Sequence, residues 1–212
     1  MKGTTHLAIG AAIGVFAAAY YPFTPKNAAL YITVASFSAL SADLDGPSML
    51  SSKIGKVSKA LRSLVLIAGL LLSAGAAAAY LAQRTFSPAF TAAAAVVLLL
   101  GFITKEGFIR NMLVSLIGAG LAYAGWSIQA RWMIGLGVFV AWAPWLKHRG
   151  LTHTVWAVAG WGWIGMQLEQ ELGLDGIANA AIAGYASHLL ADTLTANGVK
   201  WLYPLYKKAI KI

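Results

Sequence analysis

Eight stretches of the chain are apolar almost without interruption: residues 6–21, 28–43, 62–82, 87–104, 109–128, 132–146, 151–168 and 176–195. The run "SLVLIAGLLLSAGAAAAYLA" at 63–82 reaches the roughly 20 residues that a helix needs to cross a bilayer. Hydrocarbon offers backbone N–H and C=O groups no outside partner, so every spanning stretch is predicted to be helical. The pattern predicts an all-α, polytopic membrane helix bundle with about eight transmembrane helices, in one membrane domain over 1–212. The first, second and sixth runs hold only about 15 apolar residues, short for a full crossing. The N-terminal run follows a single Lys and opens on His6, so it is expected to stay as a helix and not to be cleaved as a leader.

Charge orients the bundle. Residues 46–61 hold Lys53, Lys56 and Lys59, with Arg62 just after. Lys105 and Arg110, then Lys147 and Arg149, occupy the next even-numbered breaks, and the tail holds Lys200, Lys207, Lys208 and Lys211. The opposite side has only Lys26, Arg84 and Arg131, and the acidic stretch 169–175. The positive-inside rule therefore predicts both termini in the cytoplasm, in a multi-pass protein of the inner, cytoplasmic membrane. Composition agrees: 59% of residues are hydrophobic and 11% charged, against about 25% charged in soluble proteins. Mean hydropathy is +0.69. The net charge of +9 lies in the short breaks, which makes it a topology signal and not a nucleic-acid surface. With no Cys, disulfides, thiolate catalysis and Cys-bound metal are excluded.

Against that background the polar residues stand out. His6 lies at the cytoplasmic start of the first helix and Asp43 and Asp45 at the cytoplasmic end of the second. His148 and His153 flank the start of the seventh, and His188 and Asp192 lie in the cytoplasmic half of the eighth, within "SHLLADTL". All four His and three of the four Asp thus fall at one level. His188 and Asp192, at i and i+4, share a helix face. Neutral imidazole and carboxylate suit zinc, with manganese or iron as alternatives. Asp43 and Asp45 flank Leu44 at a helix end, where a turn can aim both at one ion. Gly150 is expected to let the chain bend between His148 and His153. The inventory exceeds one tetrahedral site and suits two or three divalent ions. Paired ions generate hydroxide at neutral pH and clamp a displacement at phosphorus. Arg149 is then expected to hold a phosphate, and Asp45, or whichever carboxylate lies outside the coordination sphere, to accept a proton.

Each feature alone has a plainer reading: a hydrogen-bonded helix pair for His188 and Asp192, a solvated helix end for Asp43 and Asp45, topology signals for Lys147 and Arg149. "GAAIG" at 10–14 reads as small-residue helix packing. Trp126, Trp132, Trp142, Trp145 and Trp201 read as interfacial belt residues, and 197–204 as a turn. The coincidence of all the His and Asp on one side favours a metal or proton site.

Two blocks, "HRGLTHT" (148–154) and "GYASHLLADTLTANGVKWLYP" (184–204), closely resemble those of the YdjM-type membrane-bound, predicted metal-dependent hydrolases. "TTHLAIGAAIG" (4–14) and "SADLD" (41–45) look like the family's N-terminal and paired-aspartate blocks. The resemblance covers residues 1–60 and 145–205, a functional core, with 62–145 as an insertion of extra helices. It implies metal ligands at His6, Asp43, Asp45, His148, His153, His188 and Asp192. Where the family has Leu-Pro, this chain has Ser41-Ala42, so the turn presenting Asp43 is expected to differ. A remoter similarity to the helical zinc-dependent phospholipase C and nuclease group implies phosphoester hydrolysis. The expectation is a metal-dependent hydrolase at the cytoplasmic face, acting on a lipid or membrane-presented phosphoester. The alternatives are a metal-ion or proton transporter, or a non-catalytic protein braced by its metal. A transporter needs polar residues through both halves of the membrane, and here the far halves hold almost none.

Overall fold

The computed structural model describes residues 1–84 and 86–212. Eight helices follow one another: α1 (Gly3–Tyr20), α2 (Pro25–Ser41), α3 (Ser52–Gln83), α4 (Pro88–Ile103), α5 (Glu106–Ser127), α6 (Arg131–Trp142), α7 (Val155–Leu172) and α8 (Ile177–Thr193). Each apolar stretch of the sequence supplies one. Short 3-10 turns occupy Ala42–Asp45, Ala143–Trp145 and Leu151–His153. Among the described residues there is no strand, only an isolated antiparallel bridge between Val199 and Ile210.

Local chemistry marks the helix ends. Thr24, Ser87 and Thr154 each accept a hydrogen bond from a backbone N–H of the first turn, and Pro25 and Pro88 take first positions where no N–H is needed. The helix α7 stops at Gly173, whose φ of +58° suits a residue without Cβ.

The expectation of about eight full crossings is corrected to three helices, among the described residues, long and apolar enough to span: Gly3–Tyr20, Ser52–Ala82 and Glu106–Ser127. The apolar α4 is shorter. The twelve residues of α6 extend only about 18 Å, against a hydrocarbon core of about 30 Å. The seventeen-residue helices α2 and α8 give up apolar positions to Ser, Asn, His and Asp. Residues 46–61 are also not a loop throughout, because α3 begins at Ser52 and runs for 32 residues. Lys, Ala, Leu and Arg are good helix formers whether or not lipid surrounds them, so nothing stops the helix where its charge begins.

The chain divides into two compact units, one of residues 1–51 and 114–212, the other of 52–113. Within the second, α3 and α4 meet closely: a Cβ on Gly69 would lie 2.5 Å from the Leu98 Cα. There the Arg62 Nε donates to the Thr104 carbonyl at 2.9 Å, and the Ser58 hydroxyl to that of Glu106.

The first unit is built around α8. Eleven of its seventeen residues are buried, and α1, α2 and α7 all pack on it. Small residues permit the approach, as "GAAIG" suggested. A Cβ on Gly14 would lie 2.3 Å from the Ile32 Cα, and one on Gly184 2.4 Å from the Ala35 carbonyl oxygen. Trp161, Tyr185 and Leu189 form the adjoining core with Phe139 and Phe37 against them. The Trp161 indole N–H donates to the Ser38 hydroxyl at 2.8 Å. Trp126, Trp142 and Trp145 are exposed. Trp132 and Trp201 instead pack against this core. For Trp201 the cause is the return of the tail: Val199 pairs with Ile210, and the Trp201 indole N–H donates to the Thr193 hydroxyl at the end of α8.

Candidate metal centre

Seven polar side chains meet at one end of the α8-centred unit. The face of α8 places Tyr185, His188 and Asp192 at i, i+3 and i+7, all buried. The 3-10 turn that ends α2 presents Asp43 and Asp45. His153 ends the Leu151–His153 turn that leads into α7, His148 lies in the connection before it, and His6 sits in the second turn of α1.

Hydrogen-bond bookkeeping settles two of the rings. The Nδ1 of His188 is 2.7 Å from the Ala39 carbonyl, which only accepts, so Nδ1 carries the proton. The Thr152 hydroxyl donates to Asp45 Oδ2 at 2.6 Å, so its oxygen accepts from His153 Nδ1 at 3.0 Å. Burial lowers the His153 pKa, which keeps that ring neutral. In the neutral rings each Nε2 is therefore the lone-pair nitrogen, and the two lie 3.3 Å apart. Asp43 Oδ1 is 3.5 Å from the Nε2 of His188 and 3.8 Å from that of His153. Asp192 Oδ2 is 3.9 Å from both. Two neutral lone pairs in van der Waals contact repel, and a cation between them and the carboxylates removes the repulsion. Neighbouring ligands of a tetrahedral zinc ion, with bonds of roughly 2.0–2.1 Å, are about 3.3 Å apart. The donor set fits a metal ion.

His6 supports the same fit. It is 1% exposed, and neither ring nitrogen has a hydrogen-bond partner. Its ring stacks on His188 with centroids 3.8 Å apart, and its Nε2 is 3.5 Å from Asp192 Oδ1. A buried imidazole without partners costs free energy, so a ligand for it would be stabilising. Three groups bring ligand atoms within 4.8 Å of one another: His6 with Asp43 and His188; His153 with His188 and Asp192; Asp43 with Asp45 and His148. These clusters could hold a metal ion.

The two carboxylates of "SADLD" have different surroundings. Asp43 faces the bare imidazole nitrogens and is 21% exposed. Asp45 is fully buried and saturated by protein donors: His148 Nδ1 at 2.7 Å on Oδ1, and the Arg149 backbone N–H at 2.9 Å and the Thr152 hydroxyl on Oδ2. Burial alone would raise its pKa, but the hydrogen bonds from His148, His153 and Thr152 outweigh burial and hold it well below the carboxylate range. The same bond to Asp45 raises the pKa of His148, against some burial. The His148 side chain is 57% exposed, at the mouth of the cluster.

The Arg149 guanidinium bonds within the cluster: Nη2 is 2.8 Å from Asp192 Oδ2, and Nη1 donates to Thr195 Oγ1 and the Gly198 carbonyl. The bend between the two histidines falls on Arg149 itself, at φ +57°, whereas Gly150 has φ −92°. Gly150 is needed for closeness, since a Cβ there would lie 2.6 Å from the Lys147 carbonyl. A left-handed arginine costs roughly 1–2 kcal/mol, offset by the bond from its N–H to Asp45.

Sequence reasoning missed Thr152, Tyr185 and the Ala39 carbonyl. Tyr185 donates to the Thr152 carbonyl at 2.6 Å from inside the core. A tyrosine three residues before a helical histidine was a usable sign of a shared buried face. A backbone carbonyl such as Ala39 leaves no sign in a sequence.

Compared with known proteins, the chain matches one family model, described as YdjM inner membrane protein, over residues 1–212. No curated protein and no solved structure matches.

Proposed function

The chain belongs to the YdjM inner membrane protein family, and from that premise we propose that it is a membrane-embedded, metal-dependent hydrolase acting on a phosphoester of a lipid or of another substrate presented at the cytoplasmic face. The observation that carries this is the pair of buried ring nitrogens, His153 Nε2 and His188 Nε2, 3.3 Å apart with the carboxylates of Asp43 and Asp192 beside them. His153, His188, Asp43 and Asp192 would hold the ion, with His6 beside them as a further ligand. Zinc is the ion that the nitrogen-rich donor set suits best, with manganese or iron as alternatives. A bound ion of this kind supplies Lewis acidity at a phosphoryl oxygen and an activated water at neutral pH.

The chain's own residues account for the remainder. Asp45 holds His148 through Nδ1, which leaves His148 Nε2 at the exposed mouth, free to pass a proton to or from the reacting oxygens. This moves proton transfer from Asp45, whose oxygens are both occupied, to the ring it anchors. Arg149 clamps Asp192 and offers its remaining N–H groups to a phosphate at the same mouth.

The test is turnover by the metal-loaded protein in bilayers, over a panel of phospholipids and soluble phosphoesters, with His188→Ala as the control. Metal-dependent release of a phosphorylated product by the wild type alone supports the reading. A panel without turnover, together with movement of the metal across the bilayer, replaces it with a transporter.

A further inference from the structure

We infer that Thr152 fixes the tautomer of His153, so that this histidine presents a bare Nε2 to the metal centre. Thr152 is a positioning residue, acting through His153. The inference deepens the metal-centre reading above and rests on it.

The hydroxyl of Thr152 is 2.6 Å from Asp45 Oδ2 and 3.0 Å from His153 Nδ1. It has one proton to give. An ionised carboxylate can only accept, so the proton goes to Asp45, and the hydroxyl oxygen must accept from the ring. That places the imidazole proton on Nδ1. The other acceptor within reach of Nδ1 is Asp45 Oδ2, at the longer distance of 3.4 Å. Without the hydroxyl the ring would lose its nearer acceptor and the tautomer with a proton on Nε2 would become populated. That tautomer presents an N–H where a lone pair is needed.

Thr152 is also held for this task from its own backbone. Its carbonyl accepts the Tyr185 hydroxyl at 2.6 Å, and the neighbouring His153 N–H closes onto the Gly150 carbonyl at 3.0 Å. The residue is 1% exposed, so its hydroxyl is shielded from bulk water. Tyr185 lies one turn before His188 on α8. The same helix therefore carries His188 and, through Tyr185, anchors the backbone of Thr152. Partners of this kind set ring orientation and ligand basicity, and their loss typically costs about 10–100-fold in metal affinity.

The experiment uses the full chain in lipid nanodiscs with zinc as the probe. In the first part, ¹⁵N-histidine NMR of the metal-free wild type reads the tautomer of His153 among four histidines. A protonated Nδ1 and bare Nε2 are expected. A proton on Nε2 overturns the inference with no variant needed. In the second part, zinc affinity is measured for the wild type, Thr152→Val, Thr152→Ser and His188→Ala. Thr152→Val, which keeps the branched shape and removes the hydroxyl, should lose about 10–100-fold, and Thr152→Ser should return to within a few-fold of wild type. Wild-type affinity in Thr152→Val, or a Thr152→Ser as weak as Thr152→Val, overturns the inference while the metal centre stands. Equal zinc binding by the wild type and His188→Ala overturns the metal centre itself, and the inference with it.

Discussion

His153 and His188 face each other through Nε2 atoms 3.3 Å apart, each ring held from behind by a hydrogen bond at its Nδ1. The two histidines are 35 positions apart in the chain and on different elements. Replacing either with Ala should therefore remove most bound metal from the purified protein, while Lys105→Ala should leave it unchanged. Elemental analysis after gel filtration checks this. Full metal content in both histidine variants would refute a shared site.

The two aspartates of the 42–45 turn should separate in their effects. Asp43→Asn should lose metal and keep the fold, because Asp43 faces the imidazole nitrogens and is part-exposed. Asp45→Asn should also destabilise the protein, because an amide NH₂ would confront the His148, Arg149 and Thr152 donors on a fully buried side chain. Leaving such a buried donor unpaired costs about 1–3 kcal/mol. Thermal unfolding in detergent, without added metal, measures the difference. Equal stability of the two variants would count against Asp45 as the anchor.

Arg149→Ala should retain metal, since no histidine is touched, but bind it about tenfold more weakly. The cause would be the lost bond to Asp192, 2.8 Å from Nη2. Turnover should fall further than occupancy if the guanidinium also meets a phosphate. Saturating metal separates the two effects, because it restores occupancy and not phosphate binding.

The lysine distribution predicts the orientation. The chain has no cysteine, so single-cysteine labelling has a clean background. Lys56→Cys should be protected from an impermeant thiol reagent in intact cells, and Gln170→Cys should react. The reverse pattern would put the His/Asp cluster on the outer side of the membrane.

Close packing of α8 on α2 should tolerate no side chain at position 184. The Cβ of Gly184→Val would meet the Ala35 carbonyl 2.4 Å away, and overpacking of this kind typically costs about 1–3 kcal/mol. Gly75→Ala, with nothing within 4 Å of the added Cβ, should be neutral or slightly stabilising, since alanine favours helix. Melting temperatures of the two variants in one detergent make the comparison.

The sequence by itself determined the helical class, the eight segments and the gathering of His and Asp toward one end. Backbone groups in lipid must bond within their own segment, so the apolar pattern alone decides secondary structure. Spacing likewise put His188 and Asp192 on one face, because the helical period is local. How many helices can span was less legible: α6 has only twelve residues, and α8 carries polar residues on a face covered by protein. Only the tertiary structure decided the surroundings of each ligand candidate. Asp43 and Asp45 are chemically identical and two positions apart, and they part because His148, Thr152 and the Arg149 N–H converge on one and the imidazole nitrogens on the other. The tautomers of His153 and His188 depend on a hydroxyl and a carbonyl supplied from elsewhere in the fold. Hydrogen bonding acts over about 3 Å in space, and the sequence records distance only along the chain.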